Sequence, residues 1–304
     1  MLEQPCDVVA RLLHGEPESV AELLGLDTFK AILTLHRADF PPAQRPMAPQ
    51  PPPVDVSAVA AKHYEGALAG IGRFNRSARA AAKSAAEHEA RVEVDAVEAA
   101  RWREHVTYQE ELDMLWGRLV NNDPDIVLGT LAEAFEDNEA AAAPVGVTDS
   151  EAAVVVLVPS TSAVPERIPT MTAAGNVSLR NLTKRDRADY YKLLVCGYVL
   201  VTVKEAFAVA PGLTHVRVVA LRSPGTDAYG KARIEALLCA QFARSSLVGV
   251  QWDDADAVAI VNDTNTEFTA QYSGPSEEFT ALDLAAEPEL AAVVAAVDLD
   301  ELTA

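Results

Sequence analysis

The sequence predicts an α+β protein: helices, one of them long and of coiled-coil character, precede a small mixed sheet packed with a buried central helix and a C-terminal helix. Three observations carry that expectation. Residues 183–222 read TKRDRADYYKLLVCGYVLVTVKEAFAVAPGLTHVRVVALR, an almost wholly apolar helix halted at Pro211-Gly212 and followed at once by an alternating strand. A helix that is apolar all round belongs inside a core. Residues 152–158 (AAVVVLV) form a continuous β-branched run closed by Pro159, the pattern of a strand buried on both faces. Residues 56–120, rich in Ala, Glu and Arg, contain no proline, with Gly70 and Gly72 the weak points before Gly117.

Taken in order, residues 1–40 predict a small helical segment, with Val8, Leu12 and Leu13 in one part and Leu26, Phe29, Ile32 and Leu33 at helical spacing in another. Residues 41–55 hold seven prolines between Pro41 and Pro53 and predict a semi-rigid extended linker. Residues 56–143 predict the long helix and then a short one. Tyr108, Leu112, Leu115 and Leu119 step by four, three and four, as a seam that pairs with another helix does. Asp123 is a suitable N-cap and Pro124 suits the first helical position, so residues 126–135 start a new amphipathic helix.

Residues 144–304 predict the α+β domain. Residues 159–182 are polar and weakly patterned, with at most one extended edge segment. Val216, Val218 and Ala220 alternate with Arg217, Val219 and Leu221 in a strand. Residues 231–242 return as a second strand, with helix the competing reading, and VAIV (258–261) reads as a third strand. Residues 279–302 have helical spacing broken at Pro288.

The chain carries a formal net charge of −20, and residues 245–304 hold thirteen acids and no Lys or Arg. Such a balance disfavours broad contact with nucleic acid or anionic membrane. The longest apolar run, residues 193–203, falls well short of the roughly 20 residues a bilayer requires. With no basic n-region at the start, and with Cys6, Cys196 and Cys239 read as reduced thiols, the expectation is a cytoplasmic protein.

No GxSxG, GxxxxGK[ST] or GxGxxG occurs, and six histidines lie singly. The sequence therefore predicts no cofactor and no metal site. Asp253, Asp254 and Asp256 beside Trp252 lack the spacing of a calcium loop and read as an exposed acidic turn. A Mg²⁺ nuclease needs an acid on one strand and acid-x-Lys on the next. Asp227 and Glu235 supply carboxylates, but Leu237 stands where the lysine belongs, which leaves Lys231 as a substitute. Arg73, Arg76, Arg79 and Lys83 fall at helical spacing with no acid between Glu65 and Glu87. They offer a stripe for DNA or an acidic partner, against the plainer reading of a solvated face. Lys184, Arg185, Arg187 and Lys192 form a basic collar where cations oppose the helix dipole, and packing against the acidic C-terminal segment accounts for them most simply.

The phrases EELDMLWGRLVNNDPDIVLGTLAEAF, AAVVVLVPSTSAVPE and TKRDRADYYKLLVCGYVLVTVKEAFAVAPGLTHVRVVAL, followed by EEFTALDLAAEPELAAVV, come in a distinctive order. That order resembles the region following a restriction-endonuclease-like nuclease domain in a bacterial family associated with restriction systems. The likeness spans about residues 90–304, lacks the preceding nuclease-like domain, and treats residues 247–276 as an insertion. It brings no catalytic residue to this chain. It implies a role beside DNA restriction or phage defence. The missing catalytic motifs and the long helix predict a non-catalytic accessory or interaction protein, with a protein partner or a second copy docked through that helix. A divergent nuclease and a DNA-binding adaptor are the alternatives.

Overall fold

The computed structural model describes residues 26–138, 140–171, 177–230 and 232–297. The chain divides into two compact units, residues 44–117 and the remainder. The fold is α+β, as the sequence predicts.

In the larger unit, α1 (Leu26–Thr34) runs into a 3₁₀ turn (Leu35–Arg37). The smaller unit holds α2 (Val56–Leu68) and most of α3 (Arg76–Val120). The helix expected to run unbroken over 56–120 is therefore interrupted. Gly70 adopts φ +81, a left-handed conformation that turns the chain between α2 and α3. Alanines and a valine at four-residue spacing on α3 (Ala86, Ala90, Val94) are buried, so two helices approach closely. Their edges are bonded by Tyr64 to Glu87 at 2.7 Å and by Lys62 and His63 to Glu93 at 3.0 and 2.5 Å.

The proline-rich segment lies along the second half of α3 in the opposite direction. Arg45 Nε donates to Asp113 at 2.6 Å, Gln109 bridges Pro46 O and Ala48 N, His105 meets Pro49 O, and Arg101 donates to Pro52 O at 2.7 Å. Two rises explain the register. Four residues of polyproline helix advance about 12 Å at about 3.1 Å each, and eight residues of α-helix advance about 12 Å at about 1.5 Å each. Each four-residue step of the strap therefore matches two turns of α3, and prolines, lacking N–H, leave their carbonyls free to accept.

In the larger unit α4 (Pro124–Phe135) begins where expected: Asp123 accepts from Ile126 N and Pro124 occupies the first turn. Among the described residues six strands then form one mixed sheet in the order β1-β2-β5-β6-β7-β8. They are β1 (Ala142–Thr148), β2 (Glu151–Val158), β5 (His215–Thr226), β6 (Ala232–Ala243), β7 (Asn265–Ser273) and β8 (Glu278–Thr280). A separate hairpin pairs β3 (Arg167–Met171) with β4 (Val177–Asn181). Residues 159–182 thus carry two strands rather than one edge segment.

The connection from β2 to its parallel neighbour β5 passes through the hairpin and α5 (Lys184–Val209). Thr183 and Asp186 close a reciprocal capping box at its start. α5 packs against β2 and β5, α1, α4 and β8, and against α6 (Ala257–Thr264), which explains its unbroken apolar surface. On the opposite face of the sheet α7 (Pro288–Ala295) covers Val155, Val219, Leu221 and Ala236 with Leu290 and Val294. β2 is therefore buried on both faces.

Two local expectations are corrected. VAIV is helical, because Asp256 Oδ1 accepts from Ala259 N at 2.8 Å and caps α6. A four-residue apolar run fits either element, and the cap decides. Residues 279–287 carry no α-helix despite their helical spacing: Glu278–Thr280 pairs with β7, and the helix opens at Pro288, where the spacing marks a break. Residues 247–276 supply α6 and β7, the latter paired with β6.

His36 is 1% exposed, and its Nε2 donates to Trp252 O and Ala255 O at 3.2 and 3.1 Å, pinning the loop before α6. Burial, opposed in part by these bonds, lowers its pKa below the ordinary 6.5, so the folded protein holds the neutral ring. The unfolded chain takes up a proton below about 6.5 while the folded one does not. Stability is therefore expected to fall as pH drops from 6.5 towards the depressed value, by up to about 1.4 kcal/mol per pH unit. Urea unfolding at pH 7.5 and 5.5 checks this; His36→Gln should lose less over that interval than the parent, and equal losses would refute it.

Candidate functional site

The acids chosen from sequence as nuclease candidates have separate structural tasks. Register shifts between Ala220 and Leu221, leaving Leu237 as an extra residue, so Arg222 comes opposite Glu235. Arg222 Nη2 then donates to Glu235 Oε2 at 2.6 Å. Asp227 lies in the β5–β6 turn, where its carboxylate accepts from Tyr229 N at 2.8 Å. Lys231 lies outside the described residues. Among the described residues no group of three His, Cys, Asp or Glu is placed to hold a metal ion. Burial pushes the Cys196 thiol up to about 12 and raises that of Cys239, so neither is an activated nucleophile. Cys6 lies outside the described residues.

The cation stripe is only partly helical. Arg73 precedes α3, which starts at Arg76, so it does not share the helix face expected of it. Arg79 Nη1 donates to Ile71 O at 3.3 Å, and Lys83 sits 5.5 Å from the centre of the Tyr64 ring. Two of the four cations are thereby turned to their own unit. In the acidic triplet Asp256 is a helix cap, and Trp252 supports the Lys204 ammonium at 4.2 Å from its ring centre. The basic collar does meet the acidic segment: Arg185 and Lys192 reach Glu277 at 3.4 and 3.1 Å.

A cleft of about 720 Å³ opens at the amino ends of β2 and β5, beside α7. Its floor carries Arg217, whose Nε donates to Glu151 at 2.9 Å and whose Nη1 donates to Glu267 at 2.9 Å. Burial alone lowers its pKa, but the two carboxylates more than offset that and keep it raised. Gln241 also donates to Glu151 at 2.7 Å. The guanidinium is neutralised from both sides, which suits a structural tie between three strands better than capture of an anion. An arginine at the apolar phase of an alternating strand was the sequence signal for such a tie.

The smaller unit presents a different surface. Tyr108 and Leu115 of the expected seam are 49% and 43% exposed, and Trp102 is 59% exposed. Leu112 is half-buried. Leu119 is buried within its own chain, so the seam available to a partner ends at Leu115. Trp102 also lines a groove of about 580 Å³ formed with prolines 51–53 and Val54. The sequence signalled the seam but not this groove, because nothing local in the proline run specifies which helix it will lie on.

Among the described residues no helix is long and apolar enough to cross a membrane. No family model, curated protein or solved structure matches the chain.

Proposed function

We propose that this chain is a non-catalytic accessory protein, linked to DNA restriction or phage defence, that docks a protein partner on the exposed face of α3. The observation that carries the reading is the pair Tyr108 and Leu115, exposed on α3 with the half-buried Leu112 between them, while the strap engages the neighbours at 105, 109 and 113. Large apolar side chains gathered on one helix face mark interaction surfaces. The engagement of Glu235 by Arg222 and of Asp227 by its turn supports a non-catalytic reading over a nuclease. The restriction setting rests on the order of motifs alone.

A second copy is the simplest partner, since a helical seam pairs with itself. Each apolar side chain covered contributes about 1.5–3 kcal/mol, so two turns of seam give a dimer that dissociates on dilution. Light scattering of the 32.4 kDa chain should give twice that mass at high concentration. Tyr108→Glu with Leu115→Glu should return it to a monomer without loss of helix signal. A parent that stays monomeric at about 100 µM, a concentration at which even weak interfaces associate, would sink the self-association reading. Duplex DNA and Mg²⁺ added in parallel should remain unbound and intact; salt-sensitive binding lost when Arg73 and Arg76 are neutralised would favour the adaptor instead.

A further inference from the structure

A further cavity, of about 250 Å³, sits at the carboxyl ends of the parallel strands β2 and β5, where α5 begins. Ligands of open α/β sheets are commonly held at that end of the strands, and a helix N-terminus adds unpaired amides and a partial positive charge. Here three cations line the space: Lys184 and Arg187 from the first turn of α5, and Arg222 from β5. Thr161, Tyr191 and Glu278 complete the polar lining.

The hydrogen bonding of the two arginines is incomplete. Arg187 Nη2 donates to Thr161 O at 3.1 Å, and Arg222 Nη2 donates to Glu235 at 2.6 Å. The Nε of each is buried without a partner. Among the described residues only two other buried side-chain nitrogen or oxygen atoms lack one, His36 Nδ1 and Asn122 Oδ1, and neither lines this cavity. Native interiors leave such donors unmatched only rarely, and both belong to residues that line this cavity. Among the described residues no carboxylate pairs with Arg187 or Lys184, so the acceptor that best balances the site is an anion.

We propose that this cavity binds the phosphoryl group of a small molecule. A tetrahedral oxyanion accepts from several directions at once, which matches donors arriving from a strand and a helix turn. The volume exceeds that of a phosphate group, so it also admits part of the organic remainder of the ligand beside Glu278 and Phe279. A polyanion such as DNA is a poor occupant of a site with Glu278 at its edge on a chain of net charge −20. The site is independent of the α3 surface, and failure of either reading leaves the other standing.

Calorimetric titration of the full chain with inorganic phosphate, and separately with adenosine 5′-monophosphate, tests this. Saturable one-to-one binding is expected, weakened at least about tenfold by Arg187→Gln, since loss of a charge-assisted bond is of that order. Lys184→Ala, at an exposed position that leaves the capping box intact, should weaken it about threefold, and Arg185→Ala, which faces Glu277, should leave it unchanged. Tighter binding of the monophosphate identifies an organic ester as the ligand, and equal binding identifies the free anion. Absence of saturation by either probe at about 10 mM, or binding that Arg187→Gln and Lys184→Ala leave unaltered, would overturn the proposal.

Discussion

Replacing Arg244 with Met should lower stability by about 3 kcal/mol and the melting temperature by roughly 5–10 °C. The carbonyl ends of α5 and of the loop after it converge on this one guanidinium. Its Nε donates to Leu213 O at 2.8 Å, Nη1 to Phe207 O at 2.9 Å and Nη2 to Ala210 O at 2.9 Å, while the plane lies 4.6 Å from the centre of the Phe207 ring. The last carbonyls of a helix have no partners within it, and a cation among them also complements the negative end of the dipole. Burial lowers the arginine's pKa, yet a guanidinium stays protonated at neutral pH, and the three carbonyls face its charge.

Met keeps the length and the apolar stem but removes three charge-assisted donors, each a loss larger than that of a neutral bond, and Ala210 O retains only Leu213 N. Lys should recover only part of the loss, since one ammonium cannot span three carbonyls arranged to fit a planar fork. Thermal unfolding of the parent, Arg244→Met and Arg244→Lys checks the order. A shift under about 1 °C for Met would mean that water replaces the guanidinium without cost, and the capping account would fail.

The parts of the fold legible in the sequence are those where one local signal sufficed. Residues 184–209 were marked by a basic collar, a run of apolar residues and a Pro-Gly stop, and the structure places α5 there. β2 was marked by consecutive valines. β1 escaped notice because AAPVGVT carries two alanines, a proline and a glycine; it is tolerable as a strand only because it lies at the edge of the sheet, where the missing N–H of Pro144 is harmless. β7 escaped because its polar alternation left no buried face to read. Sites were less legible than elements. The pairing of Arg222 with Glu235 depends on one extra residue in β6, and a one-residue slip would have turned the two side chains to opposite faces. The cavity cations Lys184, Arg187 and Arg222 come from two elements that only the crossover brings together. A collar of cations at a helix start was visible; that two of them would face an arginine from a strand was not.

The second large effect is expected at Gly212, where the Pro-Gly stop after α5 meets the end of α3. A Cβ built on Gly212 would collide with Val120 O and stand 2.5 Å from Asn122 Oδ1. The first of these is backbone and cannot rotate away. Asn122 is itself fixed: it adopts φ +58 as the chain leaves α3, a conformation asparagine tolerates better than most residues, and its Nδ2 donates to Gly212 O at 3.0 Å. Gly212→Ala must therefore push apart two chain segments and stretch the bond between them, at a cost of about 3 kcal/mol. Gly129 supplies the contrast. It lies inside α4 with nothing within 4 Å of an added Cβ, so Gly129→Ala should stabilise by about 0.5–1 kcal/mol through helix propensity. Opposite shifts in melting temperature would show that the same change of one methyl group acts through contact at residue 212 and through chain entropy at residue 129. Equal small shifts would mean the close approach at Gly212 relaxes freely, and the junction there would be looser than its hydrogen bond implies.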